Sequence, residues 1–382
     1  MLKAETRGLA RVKELYENRG QRARELRAQG KKVVGYFCCY PPVEMFTALD
    51  IVPFRIQGSV KDPVTMADAY LETIMCPFMR SCFDQALKGY YDFLDGLVVP
   101  HSCDTVQRIY DIWRFYKKPE YSHFINIPHM VHPASYQFFR QELERFQKSL
   151  EEYTGKKLTP QALDRAIALH NENRQLQRAL YELRKPPLIS GAEVMQVLVA
   201  GMTVPVEEYN RLLREVIAEV KGRPPLPARP RVLVYGSETD DEAFIKLVED
   251  SGSWVVMDDL CTGTRCFWCD VEPKGNDPLM ALSRRYLEGI NCPRTYRPRT
   301  GTREEDLRQR FGYLQDFVRD WQVQGVVFYI IRFCDTYELD VPDVRKFLEE
   351  TGVPVLHLED DYSLFTMGQL RTRVQAFLEM IS

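Results

Sequence analysis

Two stretches of this chain carry nearly the same text. Residues 96–105 read Gly-Leu-Val-Val-Pro-His-Ser-Cys-Asp-Thr, and residues 325–336 read Gly-Val-Val-Phe-Tyr-Ile-Ile-Arg-Phe-Cys-Asp-Thr. Each is an apolar run of strand length that closes on Cys-Asp-Thr. A run without polar alternation is buried on both faces, which is the signature of a parallel strand. In open α/β sheets the carboxyl ends of such strands face the ligand crevice. Two strand ends that each close on a cysteine predict two related halves holding something soft between them, most simply a metal or an iron–sulfur cluster.

The rest of the chain supports this plan. Residues 32–40 (KVVGYFCCY), 51–56, 96–100 and 123–127 read as strands, with helical patterns over 4–29, 41–49, 64–91 (broken at Pro77) and 104–116 between them. Alternation of this kind argues for a parallel sheet. From Pro133 to Lys221 the pattern is helical, with Thr159-Pro160 as a strong start signal. Residues 222–230 hold four prolines in nine residues, a stiff spacer. Strands resume at 232–235, 254–257, 325–333 and 353–358. The expected fold class is α/β, with two related doubly wound parallel-sheet domains joined by a helical connector. The expected boundaries are 1–158, 159–221 and 222–382.

Charge and motifs narrow the function. The net charge is −3, so composition gives no reason to expect nucleic acid or an anionic membrane as partner. No apolar run approaches the roughly 20 residues of a spanning helix, and the first residues lack the apolar core of a signal peptide. A cytoplasmic protein is expected. No Walker-type phosphate loop and no G-x-G-x-x-G after a strand occur.

Ten cysteines are many for such a chain. Without export signals they read as core residues or ligands rather than disulfides. Cys103 and Cys334 close the paired strands. Cys76 precedes Pro77 at a predicted helix start, where the dipole favours a thiolate. Three thiolates would leave one iron of a four-iron cluster with an exchangeable position. Cys266-Phe-Trp-Cys269 lacks the second pair of a zinc ribbon and reads as a loop lining the crevice. Cys38 and Cys39 end the first strand and read as buried packing residues, though they could approach the crevice. Cys82 reads as core.

Taken in order, the motifs resemble the iron–sulfur subunits of 2-hydroxyacyl-CoA dehydratases and class I benzoyl-CoA reductases. The resemblance rests on residues 32–44, Cys76-Pro77, residues 95–104, residues 259–265, residues 286–293, residues 325–335 and Glu359-Asp-Asp-Tyr362 followed by residues 368–373. The last segment looks more like the reductase branch. The resemblance implies a [4Fe–4S] cluster on Cys76, Cys103 and Cys334. It also implies a homologous partner subunit, a separate ATP-hydrolysing activator that delivers a low-potential electron, and an acyl-CoA substrate. A cousin branch holds an eight-iron double-cubane cluster on six cysteines. Here Cys76, Cys103, Cys261, Cys292 and Cys334 supply five, and residues 88–95 offer no sixth. For such chemistry His101, Asp104, Glu44 and Asp335 are candidate proton donors, with a supporting or helix-capping role as the alternative. Arg265 and the loop arginines Arg294, Arg297, Arg299 and Arg303 are candidates for the phosphates of CoA, with a solvated loop as the alternative.

Overall fold

A computed structural model describes residues 7–272, 277–299 and 301–381. Chain order sets the architecture. Helices α1 (Gly8–Glu17) and α2 (Gln21–Ala28) precede β1 (Lys32–Tyr36), α3 (Val43–Ala48), β2 (Ile51–Arg55), α4 (Pro77–Leu87), β3 (Gly96–Pro100), α5 (Asp104–Lys117) and β4 (Tyr121–Ile125). Four long helices follow: α6 (Pro133–Thr154), α7 (Pro160–Glu182), α8 (Gly191–Gly201) and α9 (Val206–Lys221). Then come β5 (Arg231–Gly236), α10 (Ala243–Asp250), β6 (Trp254–Asp259), α11 (Thr264–Phe267), α12 (Pro278–Glu288), α13 (Arg303–Asp320) and β7 (Gly325–Ile331). The chain closes with α14 (Asp335–Glu338), α15 (Val341–Glu350), β8 (Val355–Asp360) and α16 (Met367–Ile381).

The strands form two four-stranded sheets, ordered β2-β1-β3-β4 and β6-β5-β7-β8, with every pairing parallel. The two orders are the same, so β1 corresponds to β5 and β3 to β7. The expected α/β plan of two doubly wound parallel sheets is the observed one. In each sheet the order reverses between the first and third strands, and that switch point is where ligands bind in this architecture. Strands β3 and β7, the two repeated runs, are buried throughout. Thr159 caps α7 by accepting the Ala162 N–H at 3.2 Å.

Local chemistry corrects several boundaries. The apolar run after Lys32 ends as a strand at Tyr36, because Cys38 sits in the left-handed region at φ 64°. Likewise β7 stops at Ile331, and Phe333 turns left-handed at φ 62°. That conformation is costly for a non-glycine residue, so both turns are held by their surroundings. The helix expected over 64–91 exists only as α4. Asp84, on α4, accepts the backbone N–H groups of Thr65, Met66 and Ala67 at 2.9, 2.6 and 3.0 Å, which ties the preceding segment into a loop. The helix expected over 4–29 is two helices, and residues 4–6 lie outside the described ones.

Helix α1 packs on α8 and α9, and all three share one core with the second sheet. Its Tyr16 hydroxyl accepts the Glu242 N–H at 3.0 Å. The chain start and the connector helices thus brace the C-terminal half. Among the described residues, no helix is long and apolar enough to cross a membrane.

Candidate metal centre

The carboxyl ends of the two sheets enclose a cavity of about 410 Å³. Cysteines at positions 38, 76, 103, 261, 292 and 334 line it. Phe37, Met75, Phe78, Met79, Ile331 and Phe333 supply apolar wall, and Glu238, Asp104, Asp335 and His129 supply polar groups. All ten cysteines are free thiols.

The repeated strands deliver their cysteines at equal offsets. Cys103 lies three residues beyond Pro100, and Cys334 three beyond Ile331. Each stands at the N-cap position of the next helix, α5 or α14. Cys76 stands at the N-cap of α4, with Pro77 at the first helical position. Burial pushes the Cys76 thiol up to about 11, against backbone N–H groups of Met79 and Phe78 that favour the thiolate. Burial likewise raises Cys103 to about 12, against the Val106 N–H, and raises Cys334 further. Cys38 differs: a hydrogen bond from Cys39 lowers it against its burial, with help from the Arg55 charge. A metal entering this cavity would displace protons from most of these sulfurs.

The spacing of the thiols carries chemical information. A tetrahedral zinc site with Zn–S bonds of about 2.3 Å needs sulfurs roughly 3.8 Å apart. Among the described residues, the only three ligand atoms mutually within 4.8 Å belong to Glu338, His357 and Glu359, none of which lines this cavity. Among the described residues, no three of the cavity thiols therefore stand together as a zinc site. A cavity with soft donors on several sides and apolar wall between them suits a multi-iron sulfide unit.

Charges hold the two halves around this space. Arg55, 1% exposed at the end of β2, donates to both oxygens of Glu238 at 2.9 Å. Glu238 lies two residues beyond β5, where Cys38 lies two beyond β1. Asp240 accepts the Gly58 N–H at 2.8 Å and the Tyr362 hydroxyl. Arg294 donates to the carbonyls of Ile127 and Pro128 at 3.0 and 3.2 Å, fastening the loop after β4.

Several candidates lie elsewhere than the sequence suggests. Glu44 is fully buried, takes a hydrogen bond from Tyr286 at 2.8 Å and pairs with Arg174. Burial alone would raise its carboxyl, but the Arg174 charge, with His170 and Arg285 behind it, holds it down at about 2. Glu44 is a structural carboxylate that does not line the cavity, and it has no proton to give at neutral pH. Arg265 is engaged internally, by Asp259 at 2.9 Å and by the carbonyls of Gly236 and Asn291. Arg294 is 5% exposed and committed as described. Arg297 donates to the Glu288 carbonyl at 3.0 Å; Arg299 faces Asp306 and Arg303 pairs with Asp343. Internal partners take up Arg265 and Arg294, while the side chains of Arg299 and Arg303 remain 78% and 65% exposed.

Asp104 does line the cavity, with its side chain 75% exposed and facing Arg108. His101 is not a lining residue, but its ring lies 5.1 Å from that of His129, which is. Sequence reasoning misses His129 because it lies beyond β4 with no motif around it. Cys82 is fully buried in the core, as expected. Cys266 faces a separate, smaller inner cavity, where its thiol donates to the Cys261 carbonyl at 3.0 Å.

Comparison with known proteins places this arrangement. Residues 38–381 match the family described as 2-hydroxyglutaryl-CoA dehydratase, D-component. The chain is 29% identical over 359 residues to one of the subunits of benzoyl-CoA reductase of Thauera aromatica, covering 92% of this chain and 91% of the relative. It is 25% identical over 358 residues to the (R)-phenyllactyl-CoA dehydratase beta subunit of Clostridium sporogenes, covering 92% of each. It is also 25% identical over 364 residues to the beta subunit of the (R)-2-hydroxyglutaryl-CoA dehydratase of Acidaminococcus fermentans, covering 93% of this chain and 94% of the relative. These relatives are subunits of acyl-CoA dehydratases and of an acyl-CoA reductase, and by its sequence this chain belongs to the 2-hydroxyglutaryl-CoA dehydratase D-component family.

Proposed function

We propose that this chain is the iron–sulfur subunit of an activator-driven acyl-CoA reductase that passes low-potential electrons to an aromatic acyl-CoA such as benzoyl-CoA. The observation that carries the reading is the shared cavity, where Cys76 and Cys103 from one half face Cys334 from the other. These three thiols would hold a [4Fe–4S] cluster, which when bound supplies a one-electron donor whose potential can reach roughly −700 mV. The protein's part is to hold the donor, exclude water and steer protons. The wall of Phe37, Met75, Phe78, Met79 and Ile331 sets apolar surface beside the sulfurs. Asp104, Asp335 and His129 stand on that wall as polar groups. Burial lowers the pKa of His129, with the charges of Arg294 and His101 adding to the effect, so it is neutral at pH 7 and able to accept a proton.

One feature favours the reductase over the dehydratase alternative: the segment Glu359–Tyr362 with its sequel 368–373. Each of the relatives above is named as one subunit of a larger enzyme, which supports a homologous partner subunit. The deciding experiment reconstitutes the chain with that partner, an ATP-hydrolysing activator and a strong reductant, and offers benzoyl-CoA and a 2-hydroxyacyl-CoA in parallel. Ring reduction supports the reading; dehydration alone moves the assignment to the dehydratase; turnover without ATP overturns the activator.

A second reading has its own observation. The sequence alone offers five cysteines for a double cubane, and Cys38 is a sixth on the same cavity wall. An iron and sulfide count separates the readings: about four of each per chain for one cubane, about eight irons for two.

A further inference from the structure

We propose that the inner cavity beside Cys266 is a binding site for a small carboxylate of acetate size, held by the guanidinium of Arg285 and the hydroxyl of Tyr36. This is a different space from the cysteine-lined cavity between the sheets; of the residues lining the two, only Cys38 is shared. The inference does not depend on what the larger cavity holds.

The inner cavity, of about 100 Å³, is bounded by the ends of β1 and β2 and by helices α7, α8, α9, α11 and α12. Pockets for drug-sized ligands run from roughly 300 Å³ upward, so this one suits only a few heavy atoms. Its polar wall includes Tyr36, Arg55, His170, Arg174 and Arg285, each at most 8% exposed.

The charges of this wall do not balance. Arg55 is matched by Glu238, and Arg174 by Glu44. The adjoining Arg178 is matched by Asp270 at 2.7 Å. Arg285 has no carboxylate partner among the described residues. It donates from Nε to the Cys269 carbonyl at 3.3 Å and from Nη2 to the Cys266 carbonyl, and its Nη1 makes no hydrogen bond among those residues. A cation so far removed from water carries a desolvation cost that a matching anion offsets.

A second donor belongs to the same wall. Tyr36, at the end of β1, lines the cavity, and its hydroxyl has no hydrogen-bond partner among the described residues. Other polar groups of the wall are engaged. Tyr209, Gln177 and Asn173 form one chain of hydrogen bonds, and Tyr286 donates to Glu44 at 2.8 Å. Pro41, Pro53, Leu198, Val204 and Val206 supply apolar surface. One unmatched planar cation, one free hydroxyl and apolar wall around them suit a carboxylate with a short alkyl tail, since a guanidinium and a hydroxyl can each take a carboxylate oxygen. A halide would meet the charge and leave the apolar wall unused. A phosphate dianion carries more charge than one unmatched guanidinium offsets.

The test is calorimetric titration of the chain, purified without oxygen, with sodium acetate and, at equal ionic strength, with sodium gluconate, whose polyol chain is too long for the cavity. Wild type should bind one acetate per chain and no gluconate. Tyr36→Phe, which leaves the charges in place, should weaken acetate binding about tenfold, the worth of one hydrogen bond to a charged group. Arg285→Gln should weaken it at least as much, and Tyr36→Phe keeps the test valid where Arg285→Gln does not fold. Absence of acetate binding to wild type overturns the proposal. So does equal acetate affinity in wild type and Tyr36→Phe, or saturable binding of chloride without binding of acetate. The titration reads acetate and neither iron nor turnover, so this proposal and the cluster reading fail independently.

Discussion

Glu44→Gln separates a structural carboxylate from a proton donor. The substitution keeps the shape of the side chain and removes its charge. In the folded chain Glu44 is 0% exposed, and its pKa falls from 4.5 to about 2, since Arg174, His170 and Arg285 outweigh the opposing effect of burial. That fall corresponds to about 3 kcal/mol in favour of the ionised folded state. Breaking a buried pair by removing one partner costs about 3–5 kcal/mol, which agrees. The Arg174 guanidinium, 4% exposed, would be left without its carboxylate. Urea unfolding followed by tryptophan fluorescence at pH 7 should show the variant about 3 kcal/mol less stable than wild type. For a chain of 382 residues unfolding as one unit, this lowers Tm by about 4 °C. The pH dependence follows from the depressed pKa. The contribution is complete above the unfolded value near 4.5 and is lost as pH falls through about 2, so the gap between the two proteins closes over that window. A variant as stable as wild type at pH 7 but dead in turnover would refute the structural role and restore the proton donor.

Other substitutions test other parts of the molecule. Cys76→Ser, Cys103→Ser and Cys334→Ser should each lose cluster iron, while Cys82→Ser and Cys39→Ser keep it; iron analysis after anaerobic purification checks this, and full iron in Cys334→Ser would undo the assignment. Gly236→Ala should destabilise by about 3 kcal/mol or more, because an added Cβ would lie 2.0 Å from the Tyr329 carbonyl oxygen on the paired strand β7. Gly312→Ala, inside α13 with nothing nearer than 3.8 Å, should instead stabilise by about 0.5–1 kcal/mol in the same unfolding assay. The isolated chain should turn over no acyl-CoA, with or without ATP, and activity should appear only with its partner subunit and activator.

The strands are legible in the sequence because burial on both faces writes itself as unbroken apolar text, as in Gly325–Ile331. Their ends are not. Cys38 and Phe333 look like continuations of strand, yet both turn left-handed, because the cavity wall and not local propensity decides their conformation. The loop before α4 reads as helix because its apolar residues have helical spacing. What overrides that spacing is Asp84, which gathers three N–H groups from a segment about twenty residues earlier. Arg294 reads as open to phosphate because a sequence shows charge without showing partners. Arg294 finds its partners on a loop more than 160 residues away.

The cavity also explains why its cysteines are scattered along the chain without the compact spacing of a ligand motif. A sheet with order 2-1-3-4 brings the loop ends of its first and third strands to one switch point. Two such sheets facing each other bring four strand ends together, and the crossovers to the third strands add one approach from each half. Ligands placed at those positions are separated by tens to hundreds of residues, yet each stands on a turn fixed by a fully buried strand or a helix start. Neither half alone surrounds the cavity; Arg55–Glu238, Gly58–Asp240 and Arg294 hold the halves together around it. Loss of the Arg55–Glu238 contact, 2.9 Å long and almost wholly removed from water, would therefore act on the proposed iron site without touching a proposed ligand. Arg55→Lys keeps the charge but replaces the planar guanidinium, which reaches Glu238, the Cys261 carbonyl and the Cys266 sulfur together, by a single ammonium; it should retain the fold and lose iron to a chelator faster than wild type. Equal rates of iron loss would mean that the sulfurs hold their places without the clamp.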